Sequence, residues 1–447
     1  MTITRRRLIA GSLSGAACFA MPAFATPFSV RGFDAAHFGV RPGSPDDQSA
    51  RLQRAIDRAA RARVPLWLPP GRYRAGNLTL PAGAQLAGVR GATHLMLTRG
   101  PSLFSGDHAD SITLSGLTLD GGGKPLPQDR GLVQLTGARR LRIEDCTLLR
   151  AGGNAITLQQ CDGVVTGATI TDAADNALLS NDSRGMIITS NTIRRAGNGG
   201  IRVFQSAKRH DGSLVADNTI EDVAARAGGS GQNGNAINVF RAADVIVRNN
   251  MIRRCAFTGV RGNDSNAIQI LGNNCADFDE TAMYAEFDFE GAVIADNVID
   301  GAENGIAVTN FNKGGRLSSV HGNLIRNLKP RRPDSLPQNG IGISVEAETA
   351  ATGNVVENAA RAGLRAGYGP YLRNVTLTGN VVRKAGMGIQ VSVVPGAGDA
   401  TITGNVITGA RHGAIVGMAW EKAVTGDLAK SGAEHYPQLT IANNKVR

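Results

Sequence analysis

The 447-residue chain has few aromatic residues and few cysteines, and its longest N-terminal apolar stretch is short. Aromatic residues make up 4% of the chain, against 57 glycines. The weakly apolar stretch Ala10–Ala20 is shorter than the roughly 20 residues that a transmembrane helix needs. The cysteines are far apart and show no CxxC spacing, so they predict small buried residues rather than a metal site.

The first 25 residues have the features of an export signal. Arg5, Arg6 and Arg7 precede the stretch Ala10–Ala20, and Ala23-Phe24-Ala25 is a candidate cleavage site. Paired arginines in this position are typical of twin-arginine export, with an ordinary secretory signal as the alternative. We therefore predict a periplasmic or secreted mature protein without stable membrane insertion. Four cysteines would remain in it: Cys146, Cys161, Cys255 and Cys275.

Short apolar clusters alternate with Gly, Asn and Asp turns, which favours many short strands over long helices. The pattern aliphatic-x-aliphatic-x-x-Asn-x-aliphatic recurs through the chain. Its key position falls at Leu117, Cys146, Ala168, Asn191, Asn218, Asn250, Asn273, Asn297, Asn323, Asn354, Asn380, Asn405 and Asn444. A second cluster of the type Gly-Ile-x-Val lies between successive key positions. Each unit therefore predicts about three short strands whose alternate aliphatic residues point inward.

Such units, stacked about 4.8 Å apart, predict a parallel solenoid of about 12 to 13 coils. The Asn side chains would then form a ladder at one turn, each bonding to neighbouring coils, which is a structural role. The region preceding the repeats predicts a helix from about Gln48, with Asp46 or Asp47 as N-cap and Leu52, Ala55, Ile56 and Ala59 on its apolar face. This helix would cover the end of the stack. We expect Trp420–Tyr436 to be an irregular loop or cap at the other end.

This repeat resembles the right-handed parallel β-helix of the pectate-lyase-like superfamily, over roughly Ala84 to Val446. The segment Phe38–Asp47 and the segment Val64–Tyr73 are also similar to the N-terminal part of that superfamily. The signal and the repeats together resemble a family of twin-arginine-translocated repeat proteins. The resemblance implies an all-β, right-handed parallel β-helix at 84–447, a segment with a capping helix at 26–83, and the signal at 1–25.

In enzymes of this superfamily the active groove lies along the outward face of the Gly-Ile-x-Val strands. Period-two geometry places two columns of residues on that face. In the middle coils the first column holds Arg202, Asn238, Arg261 and Tyr284, and the second holds Phe204, Phe240, Asn263 and Glu286. Glu346 occupies the second column two coils beyond Glu286. Aromatic faces beside basic and polar groups suit an acidic polysaccharide, although polar residues on an exposed sheet are also ordinary.

Two reactions fit these residues. In β-elimination on a uronate, Arg202 or Arg261 would neutralise the carboxylate, Tyr284 would remove the proton, and Glu286 or another acid would protonate the leaving oxygen. In hydrolysis, two carboxylates would act together, and Glu286 with Glu346 is a candidate pair at the wide end of the inverting range. Elimination is preferred. The predicted catalytic residues are Arg202, Arg261, Tyr284 and Glu286, and the predicted substrate-binding residues are Phe204, Asn238, Phe240, Asn263 and Glu346.

Residues 275–290 hold an acidic cluster in an otherwise basic protein whose net charge is +11. Its members are Asp277, Asp279, Glu280, Glu286, Asp288 and Glu290. Clustered carboxylates can bind Ca²⁺ or raise one another's pKa, so Ca²⁺ is a possible cofactor and no other is expected. A loop that is only solvated is the alternative.

Motifs of known pectinases and epimerases are incomplete or missing. Polygalacturonases carry Gly-His-Gly and Arg-Ile-Lys, which are not found, and Arg331–Leu336 only approaches the Arg-x-Pro-x-x-Arg of pectate lyases. A non-catalytic β-helix that binds glycan or cell envelope, or is structural, is therefore the alternative to an enzyme. Nucleic acid is not expected as a partner, because no basic stripe with interleaved aromatics runs along the chain.

Overall fold

The computed structural model describes residues 32–229, 231–309, 315–333, 335–336 and 339–447, and the predicted signal at 1–25 lies outside them. These residues form a right-handed parallel β-solenoid of about 14 turns, which confirms the predicted fold class. The strands lie in three rows, one strand of each row per turn. The first turns precede the Asn repeat, which explains why there are more turns than the 12 to 13 predicted.

Row one is a 16-stranded parallel sheet. Its strands are Phe33–Asp34, Leu66–Trp67, Gln85–Ala87, Thr113–Ser115, Leu141–Glu144, Gly163–Thr166, Ile187–Thr189, Leu214–Ala216, Ile246–Arg248, Ile268–Leu271, Glu290–Ala295, Arg316–His321, Thr349–Thr352, Val375–Thr378, Ala400–Thr403 and Leu439–Ala442.

Rows two and three together make a 28-stranded sheet, because the strands Val355–Ala366 and Val381–Ser392 run through both rows. The other strands of row two are Gly71–Ala75, Thr93–Leu97, Thr118–Asp120, Thr147–Leu149, Thr169–Thr171, Thr192–Arg194, Thr219–Val223, Met251–Cys255, Asn274–Phe278, Val298–Ala302, Leu324–Leu328, Val406–Thr408 and Lys445–Val446. Those of row three are Leu78–Thr79, Phe104–Asp107, Gly131–Thr136, Asn154–Gln159, Asn176–Asn181, Gly199–His210, Asn235–Ala243, Val260–Asn263, Thr281–Glu286, Asn304–Thr309, Ile341–Val345 and Ile415–Ala419, with Lys422–Asp427 antiparallel to the last.

The core is a set of aliphatic columns inside the solenoid. In row three, Ile156, Leu178, Ile201, Ile237 and Val260 are successive register partners, and all are buried. Because the side chains of a strand alternate between its faces, a register that stacks these residues inside also stacks their neighbours outside. The inward pattern therefore fixes the outward columns.

The predicted Asn ladder is present at the turn between rows one and two. Each Asn from Asn191 to Asn405 donates from Nδ2 to the Oδ1 of the next Asn, at 2.9–3.0 Å. The same Oδ1 also accepts the backbone N–H of the preceding Asn, as Asn218 does from Asn191 at 3.0 Å. Because these side-chain amides are buried, an amide without hydrogen-bond partners would lower the stability of the fold. The ladder is scaffold.

One α-helix, α1 (Ser49–Ala62), lies at the N-terminal end of the described residues, as predicted. Leu52, Ala55, Ile56 and Ala59 are buried in the core. Gln53 pairs with the backbone of Thr79, donating to its carbonyl at 2.9 Å and accepting its N–H at 2.8 Å, which satisfies part of the exposed first strand of row three. The predicted N-cap was wrong: Gln48, not Asp46 or Asp47, is the N-cap residue, although the side chain of Asp47 accepts the backbone N–H of Ser49 at 2.9 Å.

Three features differ from the sequence-based expectations or extend them. The region Trp420–Tyr436 contains half of an antiparallel hairpin, Ile415–Ala419 with Lys422–Asp427, and a 3₁₀ helix, Ala433–His435. Two further 3₁₀ helices are Ala35–Phe38 and Gly369–Tyr371. The strand Gly199–His210, with 12 residues, is much longer than the short strands that the repeat predicts, because it continues past a register shift between Phe204 and Arg209.

The four cysteines are buried free thiols, as the sequence predicted for their packing. Burial raises the pKa of Cys146 and of Cys161 to about 11. None of the helices within the described residues is both long and apolar enough to cross a membrane.

Candidate functional site

The outward face of row three carries the two predicted columns in register. The first column is continuous from Thr157 to Val416, through Leu179, Arg202, Asn238, Arg261, Tyr284, Ala307, Ser344, Arg365 and Gln390. The second runs through Gln159, Asn181, Phe204, Phe240, Asn263, Glu286 and Thr309. Because Val308 pairs with Val345, Glu346 follows Thr309 in this column. Every predicted site residue therefore lies on one face, which we call the groove face.

Two cavities lie over the N-terminal half of the groove face. One, of about 490 Å³, is lined by Asp129, Arg130, Gln134, Asn181 and Arg202 among others. The next, of about 380 Å³, is lined by Phe204, Gly231, Gln232, Asn238, Phe240 and Asn263. Phe204 and Gln232 border both cavities, so they form a continuous depression. The predicted groove thus begins before residue 200.

Arg202 holds the loop that separates these cavities. Its Nη2 donates to the carbonyl of Gln232 at 2.8 Å and to Oδ1 of Asn233 at 2.6 Å. Nδ2 of Asn238 donates to the carbonyl of Gly231 at 3.1 Å. The Arg202 guanidinium lies 5.7 Å from the ring centre of Phe204, and burial lowers the pKa of Arg202. Residues 231–233, which lie just before the strand Asn235–Ala243, are therefore fastened to two predicted site residues.

The densest group of charges surrounds Arg261. Its Nε donates to Oε1 of Glu286 at 2.5 Å, and its Nη1 lies 3.6 Å from Oε2 of Glu280. Asn263 also donates to Oε1 of Glu286, at 3.0 Å. The guanidinium carbon lies 4.8 Å from the ring centre of Tyr284. Since Arg261 and Glu286 are 7% and 6% exposed, a buried cation is held between two carboxyl groups.

Burial controls how these carboxyl groups ionise. It raises the pKa of Glu280, against the opposing effects of Arg261 and of Thr258, whose hydroxyl donates to Oε2 at 3.2 Å. It also raises the pKa of Glu286, against the charge of Arg261. Arg261 contacts Glu286 more closely than Glu280, so its charge stabilises the carboxylate of Glu286 more strongly, while burial opposes the ionisation of both groups.

Glu280 is the residue that reasoning about columns missed. It precedes the strand Thr281–Glu286, so it belongs to neither outward column, and its role depends on the coil before it. Thr258 and Arg261 of that coil bring its carboxyl group to the site. Its position in the acidic cluster was the only signal in the sequence.

The other members of the acidic cluster are paired individually with basic residues from other coils. Asp277 and Asp279 lie 3.4 and 3.3 Å from Arg331, Asp288 lies 3.4 Å from Lys208, and Glu290 lies 2.9 Å from Arg316. Over the described ranges, no three His, Cys, Asp or Glu side chains are grouped so that they could hold a metal ion. The carboxylates of the cluster thus fasten coils together, and a requirement for Ca²⁺ stays a prediction.

The predicted residues do not form a single constellation. Arg261, Glu286, Tyr284 and Asn263 are together, whereas Arg202 lies two coils away, across the Asn238 coil. The rings of Phe204 and Phe240 meet edge to face, 5.6 Å between ring centres, and line the cavity between these two groups. Glu346 is buried two coils beyond Glu286.

The solenoid and its polar groove define a parallel β-helix protein. Residues 130–227 and 208–382 match the family model described as the right handed beta helix region. The chain belongs to this family. A comparison with proteins of curated function finds no significant match.

Similar solved structures include two glycan-active enzymes and a phage protein. The Yersinia enterocolitica family 28 exopolygalacturonase is 13% identical, with a TM-score of 0.52 over 81% of this chain and 78% of that one. The catalytic unit of the GH87 alpha-1,3-glucanase of Streptomyces thermodiastaticus is 15% identical, with a TM-score of 0.51 over 93% and 69%. Bacteriophage phi29 gene product 12 is 13% identical, with a TM-score of 0.51 over 87% and 55%. At these identities the likeness shows the fold alone.

Proposed function

We propose that this chain is an exported glycoside hydrolase that cleaves an acidic polysaccharide in the groove of row three. The observation that carries the proposal is the buried Arg261 with a carboxyl group on each side, Glu280 and Glu286. A hydrolase of sugars needs one protonated and one ionised carboxyl group on either side of the scissile bond. Arg261 provides this difference, because it contacts Glu286 more closely than Glu280.

In this proposal Glu280 is the proton donor to the leaving oxygen. Glu286 is the ionised partner, acting on a water molecule or on the sugar carbon. Because both carboxyl groups contact the same guanidinium, at 2.5 and 3.6 Å, their nearest oxygens are at most roughly 9 Å apart, so the separation does not exceed what a glycoside hydrolase uses. The pair Glu286 and Glu346 is two coils apart, whereas Glu280 and Glu286 contact one guanidinium, so Glu280 is the better partner.

The geometry favours hydrolysis over elimination. Elimination would need Arg202 or Arg261 to bind the substrate's carboxylate. Arg261 already contacts two carboxyl groups of the chain, and Arg202 donates to Gln232 and Asn233. It would also need Tyr284 as a base, whereas burial raises the pKa of Tyr284 and keeps its phenol protonated. Both observations count against the elimination reaction that the sequence analysis prefers.

An acidic substrate is supported by the cavity next to the charged group. Arg130 and Arg202 line it together with Asp129, so its charge is positive overall. Phe204 and Phe240 offer ring faces between this cavity and Arg261. Two structural neighbours are an exopolygalacturonase and an alpha-1,3-glucanase, which is consistent with a polysaccharide substrate. The N-terminal signal predicted from the sequence supports export.

A non-catalytic glycan-binding protein is the second candidate. It is favoured by one observation: Arg202 and Arg261, the two central cations, are engaged by groups of the chain itself. A protein of this kind would bind the same glycans in the same cavities and release no product.

The test is incubation of the mature protein with polygalacturonate, alginate and alpha-1,3-glucan. New reducing ends and the ultraviolet absorbance of an unsaturated uronate would be measured in parallel. Reducing ends without the absorbance support hydrolysis, and both signals together indicate elimination. Calorimetric binding with neither signal would replace the proposal by the second candidate.

A further inference from the structure

A group of aromatic side chains lies at the C-terminal end of the groove face, outside the site described above. Trp420 forms the tip of the hairpin Ile415–Ala419 and Lys422–Asp427, and it is 47% exposed. Its ring centre lies 5.1 Å from that of Tyr368 and 6.4 Å from that of Tyr371. Tyr368 and Tyr371 belong to the turn that follows the strand Val355–Ala366. Two separate segments thus present three aromatic rings together.

The backbone is adapted to hold the indole. Trp420 has φ of +55°, a left-handed conformation that a bulky residue adopts at a cost. Gly369, also left-handed, lies directly against the indole: a Cβ there would be 2.5 Å from two ring carbons. The serine hydroxyl of Ser392 donates to the carbonyl of Gly369 at 2.6 Å and fixes this turn. The indole of Trp420 therefore occupies a turn position whose left-handed backbone would suit a small residue such as glycine better.

Charged groups surround the rings and are fixed in place. Glu421, next to Trp420, lies 3.2 Å from Nη2 of Arg365, and its backbone carbonyl accepts from Arg361 at 2.6 Å. The guanidinium of Arg365 lies 5.6 Å from the ring centre of Tyr368, and its Nε donates to Gln390 at 2.9 Å. An apolar ring face bordered by ordered polar groups is the arrangement that binds a sugar ring, which has apolar faces and hydroxyl edges.

The aromatic group lies on the same face as the proposed catalytic site, in line with the first column. Arg365 belongs to the first column, four coils beyond Arg261, or roughly 19 Å at the stacking distance of 4.8 Å. The residues of that column between Tyr284 and Arg365 are Ala307 and Ser344, whose side chains are small. A glycan chain lying along the column would pass over these small side chains and then reach the exposed indole of Trp420.

We infer that Trp420, Tyr368 and Tyr371 form a distal subsite for a sugar ring, so that one polysaccharide chain extends from the carboxyl pair to the C-terminal hairpin. This inference rests on the proposed function and adds a preference for long chains. Short oligosaccharides would occupy the groove near Arg261 without reaching Trp420. Substrates that span both regions would bind more tightly.

Fluorescence provides a test that is independent of cleavage, because the chain has only two tryptophans, Trp67 and Trp420. The variant Trp67→Phe leaves Trp420 as the sole reporter, and adding Glu280→Gln prevents turnover during the titration. Oligosaccharides of galacturonate and of alpha-1,3-glucose of increasing length would be titrated, with calorimetry in parallel. We expect a saturable change in Trp420 emission only above a threshold chain length.

Substitutions of the hairpin give the matched comparison. Trp420→Ala should weaken the affinity for long chains by at least about fivefold and leave that for short chains unchanged. Trp420→Phe, which retains a ring, should keep most of the affinity. Val424→Ala removes an equally exposed apolar side chain of the same hairpin and should have no effect.

Two outcomes would overturn the inference in different ways. Calorimetric binding of long chains with unchanged Trp420 emission would remove the distal subsite and leave the proposed function intact. An absence of both binding and hydrolysis for every glycan would remove the proposed function, and the subsite with it.

Discussion

The turn between rows one and two and the groove face of row three belong to the same coils, yet they differ in how they use the repeat. At the turn, one residue type recurs from Asn191 to Asn444 and makes the same bonds at each step. On the groove face, the residue type changes at almost every step, and each side chain has its own partners. The repeated Asn residues hold the coils together, and a functional site is expected on the face where the residues differ from coil to coil.

The largest effect is expected from removing the charge difference in the groove. Glu280→Gln and Glu286→Gln should each lower kcat by roughly 10²–10⁴-fold, because general acid and base catalysis contribute about that much. The measurement is release of reducing ends from whichever polysaccharide is cleaved. Glu221→Gln, on the outer side of row two and paired with Arg194 at 3.2 Å, is the control and should retain full activity. Equal losses in all three variants would contradict the assignment.

The next largest effect concerns the ladder. Asn297→Ala should lower the free energy of unfolding by about 3–5 kcal/mol, since it leaves the buried Ile270 carbonyl and the Asn273 amide without partners. Asn444→Ala, at the half-buried end of the ladder, should cost about 1–2 kcal/mol. Denaturant unfolding of both variants is the measurement. If the terminal substitution lowers the free energy of unfolding as much as the central one, burial does not determine how much each Asn of the ladder contributes to stability.

A smaller effect is expected where the groove is held open by one residue. Arg202→Met removes the bonds to Gln232 and Asn233, so the loop between the two cavities should loosen. We expect KM to rise about tenfold with little change in kcat, since the carboxyl pair lies two coils away. Arg195→Met, an exposed residue paired with Asp172, is the control. A fall in kcat at constant KM would instead place Arg202 in the chemical step.

The smallest effect is expected from extending the ladder. Ala168 occupies the key position of the coil before Asn191, and its backbone N–H already donates to Oδ1 of Asn191 at 2.9 Å. Ala168→Asn should add one step and stabilise the fold by about 1 kcal/mol. Thermal unfolding would detect the change. A lower Tm would show that the N-terminal coils are too closely packed at this corner to accept the repeat.

The sequence predicted the fold and the groove columns because both follow from period-two geometry. Once Ile156, Leu178 and Ile201 point inward, the residues between them must align outside, and the register of Arg261, Tyr284 and Glu286 follows. The long connection between the strands Leu324–Leu328 and Ile341–Val345 leaves this alignment intact, since the core residues Val308 and Val345 on either side of it still pair.

Contacts made by residues outside the strands could not be predicted in this way. Glu280 precedes its strand, and Trp420 is at a turn whose sequence has no Gly or Asn to indicate a hairpin. The strand Gly199–His210 extends further than the short repeat strands, and side chains of the next coil support its end, as in the hydrogen bond between Nδ1 of His210 and Oδ2 of Asp244 at 2.6 Å. Partners that come from separate coils depend on side-chain directions that the periodicity leaves open.

The central claim is that Glu280 is protonated while Glu286 is ionised, and it can be tested without knowing the substrate. The measurement is an infrared titration of the carboxyl C=O band, comparing the wild-type protein with Glu280→Gln. Glutamate ordinarily has a pKa of about 4.3. The account predicts that the wild-type protein keeps one protonated carboxyl group well above this pH, and that the band of this group is absent in the variant. A Glu280 that titrates with the surface carboxylates would contradict it.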